Sequence, residues 1–196
     1  MKANPTIYDR IEYRSRLEAK WSAFFDQLGW DFTYEPFDGD YYTPDFIIHG
    51  RTDIHRNVPW VSSSLVVEIK PAVDVADYWR AVPKVADGLA DFSRYGVVVF
   101  GVSPKFFPVG VFRPHGRPGS TLWWPSAEWR RCPECLSVGL TVGPEFPGEV
   151  ISKILAHHYP CGHIAYSYPK NMVDHQELQQ FWATACNNVK WRGTGV

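Results

Sequence analysis

The 196-residue chain has little of what marks secreted or membrane-spanning proteins. Its four cysteines are too few for a dense disulfide framework. No run of about 18 apolar residues could cross a bilayer, and no N-terminal segment reads as a secretion signal. We therefore expect a cytoplasmic protein that does not associate with membranes, in which the cysteines are available to bind metal.

The chain also lacks an excess of either charge, with 20 Lys and Arg against 21 Asp and Glu. Nucleic-acid-binding proteins are often basic, so the overall balance does not indicate a nucleic-acid partner. Phosphate contacts need only local cations, however, and several basic residues are clustered. One cluster comprises Arg10, Arg14, Arg16 and Lys20.

Two apolar segments carry charged residues at one end. Asp45 follows Pro44 and directly precedes Phe46-Ile47-Ile48, and Glu68-Ile69-Lys70 ends the run that starts at Leu65. Side chains alternate between faces along a strand, so Glu68 and Lys70 point to the same side. Two carboxylates and an ammonium at adjacent strand ends predict a magnesium site suited to phosphodiester hydrolysis.

A helix is predicted upstream, over about residues 13–28. Leu17, Trp21, Phe24 and Leu28 recur at helical spacing, and Gly29 is a stop signal. Glu18 falls on the flank of this apolar stripe, where an unpaired charge is unfavourable. A metal ion or a cationic side chain would remove that penalty.

Together these segments resemble the PD-(D/E)XK nuclease superfamily, especially its small phage and mobile-element members and the endonuclease subunit of heteromeric transposases. The resemblance covers roughly the first hundred residues. The matching segments, in order, are Arg14–Trp21, Tyr34–Pro36, Tyr42–Phe46 and Val67–Pro71.

The resemblance implies a metal-dependent DNA endonuclease with Mg²⁺ or Mn²⁺ as its cofactor. Asp45, Glu68 and the backbone carbonyl of Ile69 would bind the ion, and Glu18 would bind a second ion or a water ligand. Lys70 would orient the attacking water and offset charge on the phosphoryl oxygens. DNA would be the partner, in a prokaryotic or phage-infected cell. A homodimer and other phage or mobile-element proteins are further candidate partners.

Three residues beside Glu18 are candidates for binding nucleic acid. Arg14 and Arg16 lie within one helical turn of Glu18, and the Ser15 hydroxyl could contact a phosphate. Two other functions remain open: a non-catalytic DNA-binding or interaction module, and a transposase subunit that cuts only with a partner.

Further elements follow in an order typical of that superfamily. Strands are expected near 32–35, 43–49, 63–70 and 95–102, with a helical stretch over 75–93 that Pro83 interrupts. Two later segments are strand-like, Val109–Phe112 and Thr121–Trp124.

A second metal site is predicted from the cysteines. Cys132-Pro133-Glu134-Cys135 presents two thiolates from a tight turn, and Cys161 and His163 could complete a tetrahedral, structural zinc site. His158 and Cys186 are alternatives to His163 as the fourth ligand. Cys161 and Cys186 could instead be small buried apolar residues.

The predicted fold class is α/β (α+β), with a restriction-endonuclease-like core in which helices flank a mixed sheet. The core is assigned to residues 1–128 and a small zinc-binding lobe to residues 129–196. A C-terminal helix over about 173–190 is expected to pack on that lobe, with Asp174 capping its start.

Overall fold

A computed structural model describes residues 4–36, 42–49, 64–74, 76–78, 80, 96–104, 110–112, 127–132, 134–142, 157–158, 164–165 and 172–189. Its helices are α1 (Arg16–Gln27) and α2 (His175–Asn188). The strands in the first half are β1 (Thr6–Tyr8), β2 (Ile11–Tyr13), β3 (Asp31–Tyr34), β4 (Phe46–His49) and β5 (Ser64–Ile69). Those in the second half are β6 (Gly96–Phe100), β7 (Gly110–Phe112), β8 (Ala127–Arg131), β9 (Val138–Val142), β10 (His157–His158) and β11 (Ile164–Ala165).

The central feature is a five-stranded mixed sheet in the order β3-β4-β5-β6-β7. Its strands pair antiparallel, except for β5 and β6, which run parallel. A parallel pair needs a crossover connection, and residues 76–78 and 80 between these strands are helical. The predicted mixed sheet with helices is therefore confirmed.

Helix α1 has a well-defined start and end. Ser15 is the N-cap; its hydroxyl accepts from the backbone N–H of Glu18 at 3.2 Å and donates to Oε1 of Glu18 at 2.7 Å. Gly29 ends the helix with a φ of +68°, a left-handed conformation that glycine adopts without a Cβ clash. These signals confirm the expected helix, with its first helical residue at Arg16 rather than Tyr13.

Aromatic side chains from α1 fill the core against the sheet. Trp21 stacks on Phe100 of β6 with ring centroids 4.4 Å apart, and its indole N–H donates to the carbonyl of Gly101 at 2.8 Å. Phe25 packs edge-on against Phe46 of β4 at 5.5 Å. These contacts hold α1, the helix that carries Glu18, against β4 and β6.

Helix α2 packs on α1. Trp182 contacts Trp21 and Phe24, with ring centroids 4.8 and 5.8 Å apart. The helix also contacts β8, where Arg131 pairs with Glu177. The expectation that this helix packs on a separate C-terminal lobe was thus incomplete, because its largest apolar side chain covers α1. Asp174 caps the helix as predicted, accepting from the N–H of Gln176 at 3.0 Å.

The expected strands at 32–35, 43–49, 63–70, 95–102 and 109–112 correspond to β3 through β7. Strand β3 begins and ends one residue earlier than predicted, and β4 to β7 are shorter than predicted. The segment Thr121–Trp124 and most of 75–93 lie outside the described residues. The β1–β2 hairpin, absent from the prediction, turns at Asp9 and Arg10, both with positive φ. Within the described residues, no helix is long and apolar enough to span a membrane.

Candidate active site

Three acidic residues lie at the same level on three neighbouring strands. Phe46 pairs with Tyr34 and with Val67, so the preceding Asp45 faces Glu35 on one side and Glu68 on the other. The backbone N–H of Glu35 donates to the carbonyl of Asp45 at 2.9 Å, which extends the β3–β4 ladder by one residue. This register brings the Pro-Asp and Glu-x-Lys segments together, as the sequence predicted.

The fourth carboxylate comes from α1. Glu18 is 10% exposed at its side chain, and its Oε2 accepts from the Tyr34 hydroxyl at 2.7 Å. The Tyr34 oxygen in turn accepts from the backbone N–H of Arg14 at 2.9 Å. Tyr34 therefore connects the start of the helix to the end of β3.

Two cations pair with these carboxylates. The Arg14 guanidinium contacts Oδ1 of Asp45, and its Nε lies 2.7 Å from Glu35 and 3.9 Å from Glu18. The Lys70 ammonium lies 2.5 Å from Oε1 of Glu68, so both side chains point to the same side as expected. Lys70 is held by its backbone N–H, which donates to the carbonyl of Phe100 at 2.8 Å.

The cluster carries an excess of negative charge. Among the described residues, Glu18, Glu35, Asp45 and Glu68 are balanced by Arg14 and Lys70 alone, so with all groups ionised the net charge of this set is about −2. Burial, followed by the charge on Glu68, raises the pKa of Asp45 to about 7. The contact with Arg14 opposes this shift but does not cancel it. An additional cation beside Asp45 would favour its ionised form and lower its pKa.

One buried oxygen also fits a cation. The Glu68 side chain is only 5% exposed, and its buried Oε2 has no hydrogen-bond partner in the described part of the chain. A buried carboxylate oxygen without a partner is unfavourable, so a ligand that binds it stabilises the site. The net charge and this oxygen together fit a divalent ion held by oxygen ligands.

Tyr42 lies beside the Glu68 carboxylate. Burial first, and then the charge on Glu68, raises the pKa of the Tyr42 phenol. Its hydroxyl is buried and lies near the Glu68 carboxylate, but it makes no well-aligned hydrogen bond among the described residues. The phenol therefore stays protonated and can donate to a ligand or water at Glu68.

The remaining residues predicted for this site are Ile69, Ser15 and Arg16. Ile69 donates its backbone N–H to Oδ2 of Asp45 at 2.7 Å. Ser15 uses its hydroxyl in the helix cap, and Arg16 is exposed. Within the described residues, no three His, Cys, Asp or Glu side chains are grouped closely enough to hold a metal in this arrangement. Arg14 and Lys70 pair with the carboxylates of Asp45 and Glu68.

The predicted zinc ligands are only partly described. Cys132 is buried and Cys135 is exposed, and both lie in the turn that joins β8 to β9. The N–H of Leu136 donates to the carbonyl of Cys132 at 2.9 Å, and Leu136 has a φ of +63°. Cys161 and His163 lie outside the described residues, in the chain between β10 and β11. Cys186, half-buried on α2, packs against the hydrophobic core.

Two site features were missed in the sequence, namely the helix cap formed with Glu18 and the hydrogen bonds of the site tyrosines. The Ser15-x-x-Glu18 spacing is a capping-box signature and could have been recognised. The matched segments contained Tyr34 and Tyr42, but nothing in the pattern indicated their hydrogen-bonding roles. Glu35 has a φ of +44°, and non-glycine residues with positive φ are concentrated at functional sites.

No protein-family model, curated protein or solved structure matches this chain.

Proposed function

We propose that this protein is a metal-dependent DNA endonuclease with a restriction-endonuclease-like core. One observation carries the proposal: Glu18, Asp45 and Glu68 converge beside Lys70 at one edge of a mixed sheet, with an uncompensated negative charge. The chain order of these residues and their positions on a helix and two strands are those of the PD-(D/E)XK pattern. A phage or mobile-element origin follows from the resemblance alone.

Asp45 and Glu68, with the backbone carbonyl of Ile69, would hold Mg²⁺ or Mn²⁺, and Glu18 would contribute from the helix. The ion would supply Lewis-acid activation of a water and neutralise the phosphodiester. Lys70 would orient that water and stabilise charge developing on the phosphoryl oxygens. Ile69 keeps Asp45 oriented through its N–H, so the carboxylate does not have to be repositioned for each turnover.

DNA would approach over the start of α1. Arg14 is 53% exposed at its side chain and Arg16 is exposed, so both can contact phosphates flanking the scissile bond. The hydroxyl of Ser15 lies between them in sequence and already caps the helix. Phosphate contacts of this kind predict binding that weakens with salt and shows little sequence preference.

The direct test is cleavage of supercoiled plasmid and branched DNA by the purified chain, with Mg²⁺, Mn²⁺ or EDTA. We expect nicked or linear products only with a divalent ion. The absence of cleavage by folded protein on every substrate would contradict the endonuclease proposal.

One observation favours a second candidate function. The carboxylates are paired with Arg14 and Lys70, and an ion-paired cluster can simply stabilise the sheet edge. A non-catalytic DNA-binding or interaction module, or a transposase subunit activated by its partner, would then explain the same fold. Tight DNA binding without metal-dependent cleavage would favour this alternative.

We also propose a structural zinc site. The β8–β9 turn carries Cys132 and Cys135, and β10 of the second hairpin lies against β9. The β8–β9 turn would supply Cys132 and Cys135, and the chain between β10 and β11 contains Cys161 and His163, which lie outside the described residues. A turn held by backbone hydrogen bonds after Cys132 suits two thiolates that bind one ion.

A further inference from the structure

Arg14 contacts an oxygen that a metal ion would also need. Oδ2 of Asp45 accepts the backbone N–H of Ile69, which leaves Oδ1 as the other ligand oxygen, and the Arg14 guanidinium contacts Oδ1. The same guanidinium lies 2.7 Å from Glu35 and 3.9 Å from Glu18. A divalent ion at Oδ1 would lie beside the positive guanidinium of Arg14, so the two cations compete for this oxygen.

The backbone of Arg14 is anchored, but its side chain is free to reach solvent. The backbone N–H is fixed on the Tyr34 hydroxyl, whereas the side chain is 53% exposed and reaches solvent beside the buried carboxylates. Because the Arg14 backbone is anchored and its side chain is exposed, the guanidinium can move away from the carboxylates without unfolding the start of α1. The guanidinium then meets its other preferred partner, a phosphate, which it binds with similar geometry.

We infer that Arg14 is an internal cation that competes with the divalent ion for Asp45, and that a DNA phosphate releases the site by drawing Arg14 away. This inference rests on the proposed function, because it assigns regulation to the same site. Ion binding and DNA binding then favour each other, since each removes Arg14 from the carboxylates. By reciprocity, DNA tightens ion binding by the same factor as the ion tightens DNA binding.

The competition is specific to Arg14. Lys70 pairs with Oε1 of Glu68 and leaves Oε2 without a hydrogen-bond partner in the described part of the chain, so an ion can reach Glu68 beside Lys70. Lys20 carries the same charge on α1, two residues after Glu18, and makes no ion pair within the described residues. Lys20→Gln is therefore a matched control for loss of one positive charge near the site.

The test is calorimetric titration of metal-free protein with Ca²⁺, with and without a short DNA duplex. Without DNA, we expect Arg14→Gln to bind Ca²⁺ roughly tenfold more tightly than the wild type, a typical size for coupling between ligands. Lys20→Gln should bind Ca²⁺ with nearly the wild-type affinity. The duplex should tighten Ca²⁺ binding to the wild type and leave Arg14→Gln almost unchanged.

Arg14→Lys controls for a folding defect because it keeps the positive charge at this position. Its single ammonium matches Asp45 and Glu35 less well than the forked guanidinium does. Its Ca²⁺ affinity should lie between those of the wild type and Arg14→Gln. Equal or weaker Ca²⁺ binding by Arg14→Gln, with binding that still depends on Asp45, would overturn the competition alone. No Asp45-dependent Ca²⁺ binding by any of these proteins would overturn the proposed metal site and the competition together.

Discussion

The backbone N–H of Ile69 donates to Oδ2 of Asp45 at 2.7 Å and joins the ends of β4 and β5. The two oxygens of Asp45 consequently have different surroundings, since Oδ1 contacts the guanidinium of Arg14. The hydrogen bond fixes the carboxylate in one orientation, while the ion pair on Oδ1 can exchange. The site therefore combines a rigid scaffold with an exchangeable cation, and the predictions below address each part.

Asp45→Asn should abolish metal-dependent cleavage while the protein remains folded. The amide can still accept from Ile69 through its oxygen but cannot supply a charged ligand. Plasmid nicking with Mg²⁺ is the measurement, and a loss of about a hundredfold or more is expected. Asp31→Asn, at an exposed carboxylate on β3, is the matched control and should cut normally. Normal cutting by Asp45→Asn would remove Asp45 from the mechanism.

Asp45 should also make stability depend on pH. Its pKa of about 7 in the folded protein exceeds the value of about 4 in an unfolded chain, so the unfolded state loses this proton first. Its contribution favours folding below pH 4 and is lost as pH rises towards 7, by up to about 4 kcal/mol.

Urea unfolding between pH 5 and 8, in EDTA, measures this effect as the difference between wild type and Asp45→Asn. The wild type should lose stability relative to the mutant as pH rises, and Mg²⁺ at pH 7 should restore it. Parallel pH profiles for the two proteins would show that Asp45 does not titrate in this range.

Lys70→Gln should reduce cleavage by about a hundredfold or more, because a preorganised charge at the reacting phosphate is lost. DNA binding should change little, since the Lys70 ammonium lies against Glu68 rather than on the exposed start of α1. Gel-shift affinity in Ca²⁺ and single-turnover cleavage in Mg²⁺ separate these effects. Lys20→Gln removes the same charge from α1 and serves as the control. Equal losses of cleavage in both variants would contradict a specific role for Lys70.

Cys132→Ser should lower the zinc content and the melting temperature. Zinc bound only in the folded state stabilises it, so loss of a ligand removes that contribution. Metal analysis of the purified protein is the measurement. Cys186→Ser, at a cysteine that packs on the core, should retain the wild-type zinc content per folded chain. Unchanged zinc in Cys132→Ser would exclude the Cys132–Cys135 turn as a zinc site.

Trp182→Ala should destabilise the whole protein by about 3–5 kcal/mol, the usual effect of truncating a large buried aromatic residue. Trp182 contacts Trp21 and Phe24, so the loss would be felt on the helix that carries Glu18. Chemical denaturation followed by fluorescence and circular dichroism is the measurement. Gln180→Ala, at an exposed position of α2, should leave stability nearly unchanged. A Trp182→Ala effect as small as that of Gln180→Ala would show that α2 is dispensable for the core.

Much of the sheet and the convergence of the acidic residues could be predicted from the sequence. The apolar runs before Glu68 and after Asp45 defined strands, and alternation placed Glu68 and Lys70 on one face. The β1–β2 hairpin was missed because Asp9 and Arg10 lack the glycine or asparagine that usually marks such a turn.

The other differences between the sequence-based prediction and the structure depend on tertiary contacts. The apolar face of α2 was visible in the sequence, but amphipathicity does not identify the surface that covers it. The contact between Arg14 and Asp45 joins residues 31 positions apart through a long, exposed side chain. Its conformation depends on the assembled carboxylates, so local sequence patterns do not predict it.

The Ser15–Glu18 cap complicates any interpretation of mutants at Glu18. The same carboxylate completes the start of α1 through Ser15 and accepts from the Tyr34 hydroxyl at the end of β3. Glu18→Ala would remove both structural contacts together with the charge, so an inactive Glu18→Ala protein reports on helix formation as much as on metal binding. Glu18→Gln removes the charge and keeps one oxygen, which can accept from one of the two hydroxyls, while its amide nitrogen can only donate. It disturbs the helix start less than Glu18→Ala and is therefore the more informative substitution.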